Sequence, residues 1–246
     1  MNQSHKENYS LCVVFPMGIE AYPFLRRVET RGRSKVGKSI FRNCFFEGTE
    51  FLVVRSGIGP ERAARAVRSI EEDIRMIISV GTSGALIPGL SIGQMVVVAE
   101  TVRSDDPNRV ISSDTELVEK LSAACLKTRQ DHILGRLATS HRAVFKKRDR
   151  EALNLFASAV AVDMESHAMA EEAAKRGCAF AGLRVISDTV DSGPLPAKVD
   201  FKSLLTRPAR IRDQFAPFMR WRTFIKHFFF AINKLDPVLI NFIRSI

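Results

Sequence analysis

The segment AVAVDMESHAMAEEAAKRGCAFAGLRVISD, residues 159–188, decides the fold. Ala159 to Val162 is apolar and of a length that suits a short buried strand. Glu165 to Arg176 is rich in alanine and other helix formers, and Gly177 stands where a carboxyl-terminal cap belongs. Ala179 to Ile186 then reads as a second strand. Strand, helix and strand in alternation argue for a largely parallel sheet.

The alternation continues towards the amino terminus. Leu11 to Phe15 reads as a buried strand ending at Pro16, followed by a helix through Leu25 and Val28. Arg31 to Lys38 reads as a basic turn, and Phe41 to Phe46 and Glu50 to Arg55 as strands joined at Glu47-Gly48-Thr49. Pro60, after the glycine loop Ser56-Gly57-Ile58-Gly59, suits the first turn of a helix to about Ile70. Arg75 to Val80 and Gln94 to Val98 are further strands, with helices near Asp114 to Lys127 and Lys147 to Phe156. This order predicts a doubly wound, largely parallel sheet without internal repeats. Met1 to Ser10 is polar and expected to fray.

Ligands of such sheets sit beyond the carboxyl ends of the strands. Gly18 to Glu20, Ser56 to Gly59, Gly81 to Gly84, Asp163 to Glu165 and Ser187 to Asp191 fall there. The glycines permit close backbone approach, and Glu20, Glu165 and Asp188 supply carboxylates.

Composition excludes several classes. The 246 residues are 46% hydrophobic and 26% charged, a globular balance for one α/β domain. Cys12, Cys44, Cys125 and Cys178 form no paired motif, so a zinc site and a disulfide framework are not expected and a reducing cytoplasm is. Leu11 to Ile19 ends at Glu20 without a small-residue cleavage site, and reads as a strand rather than a signal peptide. Met76 to Ala99 lacks charge, but Gly81, Gly84, Pro88, Gly89 and Gly93 cut it into strand, loop and strand rather than a membrane span.

Five segments together resemble the nucleoside phosphorylase and nucleosidase superfamily. They are Ser56-Gly57-Ile58-Gly59, Val80 to Leu86 (VGTSGAL), Gly93-Gln94-Met95-Val96-Val97, Val162-Asp163-Met164-Glu165-Ser166 and Arg184 to Thr189 (RVISDT). The resemblance covers roughly Leu11 to Asp191 and implies a three-layer α/β/α sandwich on a mixed, partly barrel-like sheet. It also implies cleavage of a nucleoside N-glycosidic bond, a homo-oligomer, and no metal or organic cofactor. Asp188 matches the acid that protonates the departing purine at N7, with Ser187 orienting it. Such an acid needs a proton at neutral pH, so burial or a neighbouring carboxylate is expected around Asp188. Glu165 matches the carboxylate that binds ribose hydroxyls and Met164 the apolar contact under the sugar. Glu20 matches the carboxylate that holds the attacking water, Thr82 and Arg184 groups around that water, and Gly84 and Ile58 positions against the nucleoside. A strand-end salt bridge is the alternative for Arg184, and a helix-face structural role the alternative for His167.

Phosphorolysis would need arginines aimed at phosphate. The phosphorylases carry one in an early Asp-Pro-x-Arg turn and another before the Gly-Thr/Ser loop; here those places read Pro16-Met17-Gly18-Ile19-Glu20 and Ser79. Hydrolysis is therefore favoured. Arg55 is left as the phosphate candidate, and phosphate as a co-substrate only in that case. The form Val162-Asp163-Met164-Glu165-Ser166-His167, the stretch Leu195-Pro196-Ala197 and a basic tail are similar to the hopanoid-associated phosphorylase (adenosylhopane nucleosidase) subgroup, which implies a lipid-linked adenosine.

The net charge of +10 is unevenly placed. Residues 201–246 hold nine basic and two acidic side chains, Trp221, and eight of the 17 phenylalanines. The chain thus divides into a catalytic body over 11–200 and a basic, aromatic extension over 201–246. Phe218, Trp221, Ile225, Phe228, Ile232 and Leu235 form one helical stripe, and Pro237 is expected to end that helix. The stripe either packs on the body or a second subunit, or lies on an anionic membrane surface, which would place a cytoplasmic protein peripherally on its inner face. Nucleic acid is not expected, because no recognition motif accompanies the charge.

Overall fold

The computed structural model describes residues 10–192 and 215–246, with side chains from 222 onward in the second stretch. The expectations for Met1 to Tyr9, for Leu195 to Ala197, for the boundary at 200 and for the Phe218 and Trp221 side chains lie outside the described residues.

Ten strands among the described residues form one mixed sheet. β1 (Leu11–Phe15) runs parallel to β4 (Thr49–Arg55) on one side and to β5 (Met76–Ala85) on the other. β3 (Ser39–Phe46) and β2 (Glu29–Val36) extend the β4 side as an antiparallel wing. On the other side β5 pairs with both β10 (Ala179–Asp188) and β9 (Ala161–Asp163). β6 (Met95–Arg103) and β8 (His132–Thr139) connect β10 back to β9, so these five strands close on themselves. β7 (Asp106–Ser112) pairs with β6. The sheet is the mixed, partly closed one the resemblance implies; the largely parallel sheet expected from alternation alone is corrected by β2, β3, β7 and the antiparallel entries of β6 and β9.

β2 replaces the expected basic turn. Its residues are almost all exposed and polar, so no alternation marks it as a strand, and its order comes from backbone pairing with β3.

Helices cover both faces. α1 (Gly18–Leu25) and α3 (Thr115–Lys127) share one core cluster with β1 and β10; α2 (Pro60–Arg68) and α5 (Ser166–Lys175) share the other. α4 (Lys147–Ala157) closes a smaller cluster beside β8 and β9.

The carboxyl-terminal chain is built into the first cluster. α6 (Phe215–Ile232) lies along β10 and β5, and α7 (Leu235–Ile243) packs against α3 and α1. Phe228, Ile232 and Leu235 of the expected stripe are buried, as are Val238, Leu239, Phe242 and Ile243. The helix breaks at Asn233-Lys234, before Pro237, which sits in the first turn of α7 where its missing N–H costs nothing. Packing on the body is thus the observed alternative for this half of the stripe. None of the described helices is long and apolar enough to cross a membrane.

Leu239 is fully buried, so Leu239→Ala should destabilise the protein by about 2–5 kcal/mol. Phe229→Ala, on the exposed face of α6, should change stability by less than about 0.5 kcal/mol. Urea unfolding of both variants checks this; equal effects would mean that α7 is not part of the cooperative core.

Candidate active site

The cavity lies at the carboxyl ends of β1, β5 and β10, where three loops and two helix starts meet. Of the expected residues, Glu20, Ile58, Thr82, Gly84, Met164, Glu165, Ser187 and Asp188 all line it.

Glu20 is the third residue of α1, and its Oε2 reaches back to accept the Met17 N–H at 3.0 Å. Its Oε1 accepts the Thr82 N–H and hydroxyl, each at 2.8 Å. Gly81 leaves the room this requires, since a Cβ there would lie 3.1 Å from Glu20 Oε1. Burial raises the Glu20 pKa against the pull of these donors.

Glu165 caps the start of α5 and accepts the Gly59 N–H at 2.7 Å. Gly59 has φ of 103°, a conformation that residues with a Cβ rarely adopt, and this aims its N–H at the carboxylate. Burial and the neighbouring Asp163 carboxylate push Glu165 up to about 8.

Asp188 ends β10. A register shift between Ile186 and Asp188 sets it opposite Gly84 of β5. A Cβ on Gly84 would lie 3.0 Å from Asp188 Oδ2 and 3.2 Å from Arg150 Nη2, so a side chain there would crowd this pair. Ser187 Oγ lies 2.8 Å from Asp188 Oδ1 and 3.3 Å from the Ser83 carbonyl. Asp188 is buried, the first of the two alternatives expected there, and the partner of its Oδ2 is the buried guanidinium of Arg150 rather than a carboxylate.

Arg184 stands behind the cavity. Fully buried, it binds Asp163 Oδ2 through Nε and Nη2 at 3.1 and 2.9 Å, and Ser79 and Ser166 at 2.7 Å each. The salt-bridge alternative describes these contacts. Its charge still reaches Glu20 and Glu165 and opposes the rise of both. Ser79, where a phosphorylase arginine would stand, is occupied in this network. Arg55 lies outside the cavity, in an adjoining basic one with Lys35, Lys38 and Arg62, where it donates to the Lys38 carbonyl. His167 is buried beside Thr101, 3.1 Å from its hydroxyl, away from the cavity.

Sequence reasoning missed four contributors. Arg150 sits in the run Lys146-Lys147-Arg148-Asp149-Arg150, which reads as a solvated face. Its signal was its spacing of three from Leu153 and seven from Ala157, the inward face of α4. Ser83 Oγ is buried at the cavity with no partner among the described residues. The loop 142–145 supplies one wall, and Phe224 and Phe228 of α6 supply another. Among the described residues no group of three or more His, Cys, Asp or Glu could hold a metal ion.

The Phosphorylase superfamily profile matches residues 10–206 of the chain. The 5′-methylthioadenosine/S-adenosylhomocysteine nucleosidase of Geobacillus thermodenitrificans is 27% identical over 203 residues, covering 75% of this chain and 84% of that protein. That of Marinomonas sp. (strain MWYL1) is 29% identical, covering 58% and 70%. Among solved structures, futalosine hydrolase of Helicobacter pylori superposes with a TM-score of 0.79 at 18% identity, covering 97% of this chain and 98% of its own. The nucleosidase of Neisseria meningitidis in complex with methylthio-immucillin-A gives 0.78 at 20% identity, covering 96% and 99%.

The Glu165 environment has a consequence for stability. The unfolded chain ionises this carboxyl near the ordinary value of 4.5 and the folded protein near 8, so the folded state holds an extra proton between them. Stability from this group is therefore complete below about 4.5 and is lost as pH rises towards 8. Glu165→Gln removes the loss, and its melting temperature should gain on the wild type between pH 4.5 and pH 8.5, by the equivalent of a few kcal/mol at most. Thermal melts across that range check it; a constant difference would contradict it.

Proposed function

The chain belongs to the phosphorylase superfamily, and on that premise we propose that it is a purine nucleosidase releasing adenine from a 5′-substituted adenosine. The observation that carries this reading is the convergence of Glu20, Glu165 and Asp188 on one cavity that is also lined by apolar side chains. Cleavage of the bond between C1′ and N9 builds positive charge on the sugar and negative charge on the base. Asp188 gives a proton to N7 of the departing adenine, a step general acid catalysis accelerates by about 10²–10⁴-fold. Glu165 hydrogen-bonds the ribose hydroxyls and fixes the sugar. Glu20, with Thr82 beside it, holds the water that attacks C1′ and takes its proton. The names of the similar proteins, nucleosidases and a hydrolase, support hydrolysis. The absence of Arg55 from the cavity wall and the engagement of Ser79 by Arg184 support it further.

The 5′ substituent is inferred from the apolar lining of the cavity. Met17, Ile58, Phe224 and Phe228 are among its lining residues, and a long hydrocarbon substituent is the chemistry they suit, with the lipid-linked adenosine adenosylhopane as the proposed substrate. The other side of α6 supports delivery from a membrane surface on the cytoplasmic side. Phe229 and Phe230 are exposed there, with Arg222 and Lys226 on the same helix. Phosphate remains a second reading of the nucleophile, supported by the basic cavity around Arg55.

The deciding experiment incubates the protein with adenosylhopane, methylthioadenosine, adenosylhomocysteine and inosine, each with and without phosphate. Free adenine from adenosylhopane without phosphate is expected. Ribose 1-phosphate formation would select phosphorolysis, preference for methylthioadenosine the soluble nucleosidase, and no base release from any a non-catalytic membrane or nucleic-acid binding module. Asp188→Asn should lower turnover by about 10²–10⁴-fold with the fold retained; unchanged turnover would remove it from the mechanism. For the membrane, Phe229→Ser with Phe230→Ser is the better probe than truncation, because truncation removes the buried α7. Flotation with anionic liposomes should weaken in this variant, and equal flotation would count against surface delivery.

A further inference from the structure

We propose that Arg150 is a positioning residue that decides which oxygen of Asp188 carries the proton given to the departing base. The inference rests on the nucleosidase reading above and adds a residue to it.

Arg150 is 1% exposed, although it lies in a run of charged residues. Its guanidinium is held in one orientation from several sides. Nε donates to the Val144 carbonyl at 3.0 Å, and Nη1 donates to the carbonyls of Ala85 and Thr189 at 3.0 Å each. These carbonyls come from the wall loop, the end of β5 and the chain just after β10, so three separate pieces of backbone fix the plane of the cation. Nη2 is left to donate to Asp188 Oδ2. Gly84 is what allows this approach, because any Cβ there would crowd both partners.

The two carboxyl oxygens of Asp188 are therefore not equivalent. A proton on Oδ2 would face the N–H of Arg150, donor against donor, so the acid form carries its proton on Oδ1. The neighbour of Oδ1 is built to accept either state. When Asp188 is ionised, the Ser187 hydroxyl donates to Oδ1 at 2.8 Å. When Asp188 is protonated, Oδ1–H donates to Ser187 Oγ, and the single Ser187 proton turns to the Ser83 carbonyl 3.3 Å away. In the reaction the Oδ1–H bond breaks as the N7–H bond forms. The electron pair of the C1′–N9 bond leaves with the base, and the water that bonds to C1′ gives its proton to Glu20. The carboxylate left on Asp188 is the partner Arg150 already holds, and the proton on Glu20 and the one missing from Asp188 are exchanged through solvent before the next turnover.

A role through the acid is separable from a role in holding the cavity. A leaving group such as 4-nitrophenolate departs without a proton, so a 4-nitrophenyl riboside with the same 5′ substituent tests the sugar and water sites alone. With the adenine substrate, kcat of Arg150→Met should fall by about 100-fold or more, with KM within about threefold. With the 4-nitrophenyl riboside its kcat should fall by less than about threefold. Asp188→Asn should show the same split, and the double variant should be no slower than Asp188→Asn alone. Arg150→Lys, which keeps the cation, guards against a variant that fails to fold and should recover at least about tenfold of the adenine reaction. Equal losses on both substrates, or no loss on adenine release, would overturn the assignment. If the wild type releases nothing from either substrate, the nucleosidase reading itself fails.

Discussion

Four carboxyl groups are held out of water at the carboxyl ends of the central strands, and the arrangement around them follows from that cost. Glu20, Asp163, Glu165 and Asp188 are all buried. An isolated buried carboxylate is expensive, so each must find a counter-charge, donors or a proton. The structure divides them. Asp163 and Asp188 each face a buried guanidinium, Arg184 and Arg150. Glu20 and Glu165 have only hydrogen-bond donors, from Met17, Thr82 and Gly59. Those two are the groups whose proton affinity burial raises. One cavity thus brings together two ion-paired and two hydrogen-bonded carboxyls.

The strand ends enforce this division. Gly59 holds a positive φ that aims its N–H at Glu165, and a side chain at Gly81 or Gly84 would crowd Glu20 or the Arg150–Asp188 pair. The parallel register of β5 and β10 carries Gly84 to Asp188, and β9 leads Asp163 and Glu165 in from the adjoining edge. The barrel closure through β6 and β8 holds these strand ends at fixed separation, as a preorganised site needs.

Much of this was legible in the chain, for identifiable reasons. β1, β4, β5 and β10 are apolar runs bounded by glycine or proline; Glu20 comes shortly after β1, and Asp188 closes β10. β2 was not legible because an exposed edge strand needs no apolar face. β8 was hidden by Gly135 and by Arg136, whose guanidinium is compensated by Glu100 on the paired strand. Arg150 was hidden by its neighbours: in a run of six charged residues, 146–151, only the helical phase with Leu153 distinguishes the one that turns inward. Pairings between segments far apart in sequence, such as Arg150 with Asp188, carry no local signature at all.

The carboxyl-terminal chain shows how position changes the meaning of composition. Its charge and aromatics suggested an appendage, yet α7 lies in the main core and α6 supplies Phe224 and Phe228 to the cavity. Consecutive positions on α6 therefore serve different surroundings: Phe228 faces inward while Phe229 and Phe230 face solvent. One helix thus walls the cavity on one side and presents exposed aromatics and cations on the other. On the proposed reading, contact of its outer face with a membrane would hold the apolar wall of the cavity next to the source of a hydrocarbon substrate. On that same reading the positive charge of the helix serves the membrane surface, since a reaction on a neutral base and sugar does not call for it.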